Sequence, residues 1–204
     1  VNRTLVDLEA HLRREREDEI LRHKLESQVM LLQVNPHFLY NAMESLCALA
    51  ASRGDRPTAD AVASMSTLYR ALVKEPAVIT LEREMALIDG YLHFQELTRQ
   101  DRFCYSIELD EALRPVPSLR FWLQPLAENY FRYSFDPERS NNILIIRGTE
   151  ERDLCRFEMV DNGLPIPEAQ VFKMNKLASA ENADEDASQG LGIANTSARL
   201  RWYY

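Results

Sequence analysis

The chain of 204 residues contains no long hydrophobic run and few cysteines. No stretch approaches the roughly 18 apolar residues of a membrane-spanning helix, so we expect no membrane contact by this part of the protein. Cys47, Cys104 and Cys155 are far apart and lack the spacing of a metal site. We expect them to be reduced thiols of a cytoplasmic protein.

The chain also has fewer basic than acidic residues. The chain has 24 Lys and Arg residues against 32 Asp and Glu residues, which gives a net charge of −8. Nucleic-acid binding requires a basic surface, and we therefore expect no nucleic-acid partner. No signal peptide is visible. Because the chain begins at Val1 without a methionine, we expect it to be part of a longer protein.

The first part of the chain is predicted to be helical. Residues 1–33 contain no Gly or Pro, and their leucines lie three and four positions apart. Residues 1–30 therefore fit a coiled-coil signalling helix, although a solvated helix that packs on its own domain fits equally well. Gly54 and Pro57 mark the end of one helix and the start of the next, so residues 31–78 predict a helical hairpin. Two such hairpins bury their apolar faces as a four-helix bundle, which predicts a homodimer.

The second part, residues 79–204, mixes helices and strands. Thr80 to Glu84 predict a capping box with Thr80 as N-cap and a glutamate as its partner, followed by a helix to about Gln100. The remaining pattern predicts a strand at 103–109, a helix at 119–134, and strands at 142–147 and 155–160 joined by a hairpin at 148–151. The predicted fold class is α+β, with a domain boundary near Pro76 to Thr80.

The stretch from Leu31 to Asn41 contains one of only four histidines, His37, directly after Pro36. His37 and Asn41 are four positions apart, and such residues share one face of a helix. On these residues alone, an ordinary helix start with a surface histidine is the more common explanation.

Three short motifs follow in the second part. Glu128 and Asn129 interrupt an apolar helix, Asp161-Asn162-Gly163 follows a strand, and Gly190-Leu191-Gly192 opens a helix that contains Asn195. Each is common by itself: a half-buried amide, a turn, and a helix start at which backbone donors can approach a phosphate. Their order along the chain is more specific than any one of them.

In this order the motifs resemble the N, G1 and G2 boxes of the Bergerat-type (GHKL) ATP-binding fold. The stretch around His37 resembles the phosphoacceptor box of the bacterial sensor histidine kinases of the autolysin-sensor (LytS/YesM) type, and the similarity covers about residues 28–204. The resemblance implies that residues 31–78 form a dimeric phosphotransfer hairpin and residues 79–204 an α/β-sandwich ATP-binding domain. The family continues beyond Tyr204, so the domain is expected to lack its last strands.

The resemblance also implies a role for each motif. His37 would accept the γ-phosphoryl group of ATP and pass it to an aspartate of a response-regulator receiver domain. Asn41 would hold the imidazole or a water, and Glu128 would polarise a proton acceptor. Asn129 would bind Mg²⁺ as well as nucleotide, and residues 165–189 would form an ATP lid. The parent protein would be anchored in a membrane upstream of this cytoplasmic part. Adenine and the phosphates would be bound by Asp161, Gly163, Gly190, Gly192 and Asn195.

Three positions differ from the family pattern. After a basic residue the family has His-Gly, whereas this chain has Tyr133 and Ser134; Pro165 stands where the family has a second glycine. These residues favour a second hypothesis, a catalytically degenerate relative that acts as a dimerisation and signalling module with weak or no ATP binding. A gyrase- or chaperone-like ATPase is disfavoured, because the histidine-bearing hairpin would have no role in it.

Overall fold

The computed structural model describes residues 36–152, 154–179 and 191–204. The predicted coiled coil at residues 1–30, the first part of the His37 stretch, and residues 180–189 of the predicted lid lie outside the described residues. The chain divides into two compact units, residues 1–42 and 43–204.

Two helices make up the predicted hairpin, α1 (Pro36–Ser52) and α2 (Arg56–Lys74). Gly54 has a φ of 76° and lies in the connection, while Pro57 lies in the first turn of α2. Both features agree with the prediction. An ion pair between Arg70 and Glu44, 3.2 Å apart, joins the two helices on their exposed side.

Strand β1 (Val78–Thr80) leads directly into helix α3 (Leu81–Arg99). It pairs antiparallel with β3 (Pro117–Leu119), a contact that no local pattern predicts. Thr80 accepts a hydrogen bond from the backbone N–H of Arg83 and is the N-cap, as predicted. The predicted glutamate of the capping box is wrong: Arg83 occupies the third helical position and pairs with Glu75.

The three strands of the main sheet have the order β2–β4–β5 within the described residues: β2 (Phe103–Leu109), β4 (Asn142–Glu151) and β5 (Leu154–Asp161). β2 and β4 are parallel, and β4 and β5 are antiparallel. The mixture of helices with this sheet confirms the α+β prediction. The core lies between α3 and the sheet and includes Leu81, Ile88, Leu92, Phe103, Leu144 and Ile146.

The predicted hairpin between β4 and β5 is present, but its turn follows Glu151 and does not lie at residues 148–151, because these residues continue β4. Gly148 pairs with Phe157, and Glu151 pairs with Leu154. A Cβ atom on Gly148 would lie 2.7 Å from side-chain carbons of both Leu109 and Phe157. This glycine therefore permits close packing within a strand and does not form the turn.

The predicted helix at residues 119–134 begins later than expected. It consists of α4 (Gln124–Asn129) and a π-helical turn, Tyr130–Ser134. Upstream of α4, the backbone N–H groups of Phe121, Trp122 and Leu123 all donate to the carboxylate of Glu84, at 2.7, 2.9 and 3.1 Å. These donors are already satisfied by a side chain of α3, and the helix starts only after them.

Two helices complete the described part, α5 (Glu168–Ser179) and α6 (Leu191–Tyr203). α5 lies inside the predicted lid, where no helix was expected. None of the helices in the described ranges is long and apolar enough to cross a membrane.

Glu84 is almost completely buried, with 1% of its surface exposed. Burial raises the pKa of its carboxyl group, and the three backbone hydrogen bonds oppose that rise. We expect Glu84→Gln to destabilise the protein by about 1–3 kcal/mol at pH 7, since the amide turns its own donor toward at least one backbone N–H. Urea unfolding measures this difference.

Glu82→Gln is the matched control for this prediction. Glu82 lies on the same helix, but its carboxylate is exposed and pairs with Arg114 at 3.2 Å. Such surface pairs contribute about 0–1 kcal/mol. Equal unfolding midpoints for the two variants would contradict the assigned role of Glu84.

Candidate functional site

His37 lies in the first turn of α1 with its imidazole exposed. Its Nδ1 atom is 3.2 Å from the amide nitrogen of Asn41, so the two side chains share one helix face as predicted. With the Asn41 amide turned over, its oxygen would accept from Nδ1–H, which would place the ring proton on Nδ1 and the lone pair on Nε2. Asn41 can therefore select the tautomer in which Nε2 is the nucleophilic nitrogen.

Glu128 and Asn129 form the end of α4. Glu128 is exposed and accepts a hydrogen bond from Gln124 at 2.9 Å. Burial raises the pKa of Tyr91 to about 12, and the negative charge of Glu128 contributes to this rise. The amide nitrogen of Asn129 is buried and has no hydrogen-bond partner within the described residues.

An unsatisfied buried polar atom costs about 1–3 kcal/mol, which a ligand recovers if it binds the group. The Asn129 amide nitrogen therefore fits a ligand that offers an acceptor, such as a phosphate oxygen. Its oxygen is of the kind that Mg²⁺ accepts, usually together with substrate phosphates.

The π-helical turn after Asn129 is rare in proteins and is often found at functional sites. Its first residue, Tyr130, is 4% exposed and packs against Phe103 and Phe135. Burial raises the pKa of Tyr130, and the negative charge of Asp161 raises it further. Tyr130 and Asp161 are therefore electrostatic neighbours, although they are far apart in the sequence.

Asp161 ends β5 with its side chain exposed, and its Oδ1 atom accepts from the backbone N–H of Gly163 at 2.8 Å. The next N–H, that of Leu164, donates to the carbonyl of Ser134 at 2.6 Å. A Cβ atom on Gly163 would lie only 2.0 Å from the same carbonyl oxygen. The turn at residues 161–163 thus lies directly against the end of the π-helical turn, and only glycine fits at position 163.

The contact at Ser134 involves two of the positions that differ from the family pattern, Ser134 itself and the region of Pro165. Ser134 contributes its backbone carbonyl, which any residue provides. Pro165 lacks a backbone donor, but the donor in this contact is Leu164, one position earlier. Both departures are therefore compatible with the docking of the turn.

Two asparagines that hold the site were not predicted. Asn162 accepts from the backbone of Ile143 and donates to the carbonyl of Asn141, which fixes the turn to β4. Asn142 is fully buried. Its amide oxygen accepts from the backbone N–H of Asp136, and its amide nitrogen donates to the carbonyl of the same residue. The sequence sign of the role of Asn142 is the Asn141-Asn142 pair that opens an apolar strand. Asn162 is marked only by its place in the Asp161-Asn162-Gly163 motif.

The remaining predicted residues lie on or before α6. Gly192 is its second residue and Asn195 is exposed further along, while Gly190 lies outside the described residues. The structure therefore brings together the segment that begins at Asn129 and the turn at residues 161–163. The three cysteines are free thiols, as predicted.

Comparisons with known proteins identify a matching family model and several relatives. Residues 25–103 match the model of the histidine kinase family. The chain is 26% identical over 183 residues to the sensor protein LytS of Streptococcus agalactiae, covering 88% of this chain and 30% of that protein. It is 25% identical to the sensor histidine kinase YesM of Bacillus subtilis over 72% of this chain and 26% of YesM. It is 30% identical to the sensor histidine kinase BtsS of Escherichia coli over 74% of this chain and 28% of BtsS. The chain therefore spans less than a third of the length of these relatives.

Proposed function

This chain is related to the bacterial sensor histidine kinases of the LytS and YesM type, and we propose that it forms the dimerisation and catalytic part of such a kinase. It would phosphorylate His37 from ATP and pass the phosphoryl group to an aspartate of a response-regulator receiver domain. The parent protein would be anchored in a membrane, with this part on the cytoplasmic side.

One observation carries the proposal. The turn that contains Asp161 and Gly163 lies against Ser134, five positions after Asn129, whose amide nitrogen is buried without a partner among the described residues. In sequence the turn and Asn129 are some thirty residues apart, and no requirement of the core demands a buried donor without an acceptor. A nucleotide that contacts the turn and accepts from Asn129 would account for both features.

The residues would divide the work as follows. Asp161 would accept from the adenine amino group, and Gly163 would keep the turn open beside the base. Asn129 would bind Mg²⁺ through its amide oxygen, with Gly190, Gly192 and Asn195 near the phosphates. ATP supplies the activated phosphoryl group, and Mg²⁺ neutralises its charge.

At His37, the lone pair of an imidazole nitrogen would form the bond to phosphorus as the bond to the bridging oxygen breaks. The electrons of that bond leave with ADP, and the proton on the other ring nitrogen is held by Asn41. Glu128 would polarise a group that accepts a proton. The phosphoryl group would then move from nitrogen to the carboxylate oxygen of the receiver aspartate.

The surface of the hairpin supports a homodimer. Large apolar side chains on both helices are exposed in the residue 43–204 unit, namely Leu46, Leu49, Met65, Leu72 and Val73. Contiguous exposed apolar surface usually marks an interaction site. A second hairpin would cover it in a four-helix bundle.

The alternative is a degenerate module that dimerises without binding ATP, and Tyr133, Ser134 and Pro165 favour it. Titration calorimetry with Mg²⁺ and ATP separates the two. We expect the protein to bind ATP, and Asn129→Ala to weaken binding at least about tenfold, because a buried hydrogen bond to a charged ligand contributes about 1.5–3 kcal/mol.

Asn141→Ala is the matched control in this titration. The Asn141 side chain is exposed, and only its backbone carbonyl takes part in the turn. The affinity of Asn141→Ala for ATP should stay within about twofold of that of the unsubstituted protein. Absence of ATP binding by the unsubstituted protein would favour the degenerate module.

A further inference from the structure

Residues 120–123 connect β3 to α4, and we call them the junction segment. They contact three helices besides α4, namely α2, α3 and α6. Phe121 in this segment has a φ of 56°, a conformation that a non-glycine residue adopts only when its surroundings impose it.

Arg120 attaches the junction segment to the hairpin. Its guanidinium group donates to the backbone carbonyl of Ala71, at 3.0 Å, and to that of Glu75, the C-cap residue of α2. The Ala71 carbonyl also accepts from the backbone N–H of Glu75, and the last carbonyls of a helix form the negative end of its dipole. A cation at this position therefore binds the end of α2 by hydrogen bonds and by charge.

The backbone of the same segment is held from two other sides. Glu84 of α3 accepts from three consecutive N–H groups, of which Trp122 provides the central one. Arg199 of α6 donates to the carbonyl of Arg120 at 2.9 Å. The segment thus has fixed positions relative to α3 and α6, and α4 with Asn129 starts directly from it.

α2 and this region also line a common groove of about 590 Å³. Leu68 and Leu72 of α2 line it together with Phe121 of the junction segment and Glu128 of α4. A displacement of α2 would therefore act on the junction segment at Arg120 and change the groove beside Phe121 and the end of α4.

We propose that the junction segment couples the position of α2 to the nucleotide site, with Arg120 as the positioning residue that orders α4. This inference rests on the proposed function only in assigning nucleotide binding to Asn129. A change in the hairpin would loosen or tighten the Arg120 contact, and α4 would be ordered accordingly. The coupling is physical, since one segment is bonded both to the end of the hairpin and to the helix that carries the site.

Hydrogen exchange measured by mass spectrometry on the full chain tests the coupling without requiring activity. In Arg120→Ala, amides of residues 124–134 are expected to exchange at least about tenfold faster, while those of β4 stay unchanged. Arg120→Lys keeps the charge and should restore most of the protection. Arg147→Ala is the control, because it removes only an exposed ion pair with Glu108 on the sheet. Unchanged exchange at residues 124–134, or an equal increase in β4, would overturn the proposal.

Kinetics provide a readout that a merely structural role would not move. An ordering role predicts that Arg120→Ala raises KM for ATP about tenfold and leaves kcat within about threefold, because saturating nucleotide orders α4 itself. A smaller folded fraction would instead lower kcat at an unchanged KM, and that result would count against the proposal. If the unsubstituted protein takes up no phosphoryl label from γ-labelled ATP, the proposed function fails. The hydrogen-exchange comparison still decides whether the junction segment couples α2 to α4.

Discussion

Replacement of His37 by alanine is expected to abolish the label that the protein takes up from γ-labelled ATP and Mg²⁺. The proposed reaction forms a bond between phosphorus and an imidazole nitrogen, and alanine has no nucleophile to replace it. His37 is exposed, so the substitution should leave the unfolding transition unchanged. The label on the unsubstituted protein should be acid-labile and stable in base, as a phosphoramidate is.

His93→Ala is the control for this experiment. His93 lies on α3, half exposed, with its Nδ1 atom 3.5 Å from the carboxylate of Glu96. His93→Ala removes a histidine that has no role in the proposed reaction and should leave the label intact. Label that persists in His37→Ala, or that survives acid, would exclude His37 as the phosphoacceptor.

Replacement of Gly163 by alanine should disrupt the candidate site. The new Cβ atom would lie 2.0 Å from the carbonyl oxygen of Ser134 and 2.6 Å from its carbon. Backbone atoms cannot rotate away as a flexible side chain can, so the turn must leave the π-helical turn. We expect a loss of about 1–3 kcal/mol in the free energy of unfolding and at least tenfold weaker ATP binding.

Gly90→Ala is the same chemical change in a different environment. Gly90 lies within α3, and a Cβ atom there would be 3.6 Å from Leu68, an ordinary contact distance. Alanine is favoured over glycine in a helix by about 0.5–1 kcal/mol, so this variant should be more stable than the parent. Urea unfolding and calorimetry on both variants measure the contrast. Equal effects of the two substitutions would contradict the docking of the turn on Ser134.

Elements that depend on neighbours in sequence were predicted well. Gly54 and Pro57 bound the hairpin helices, Thr80 caps α3, and the alternation of residues 103–109 coincides with β2. These features arise from local sterics, capping and periodicity, which a short window of residues contains. The motifs of the candidate site were found for the same reason, because each is a short local pattern.

Elements that depend on distant partners were predicted poorly. The helix near Asn129 starts at Gln124 because Glu84, some forty residues earlier, accepts the preceding backbone donors. Gly148 looks like a turn residue, yet it lies in a strand because Leu109 and Phe157 occupy the space beside it. The periodicity of a segment contains no information about which distant group will satisfy its donors.

The sequence by itself determined the fold class, the hairpin, and the residue types on which the proposed phosphoryl transfer rests, above all His37 and Asn129. The tertiary structure alone decided how they are supported. It brings Gly163 against Ser134, buries the Asn129 amide nitrogen with no partner in the described part of the chain, and attaches Arg120 to the end of α2. The physical reason is that capping and periodicity act within a few residues, whereas burial, steric exclusion and long-range hydrogen bonds exist only after the chain has folded.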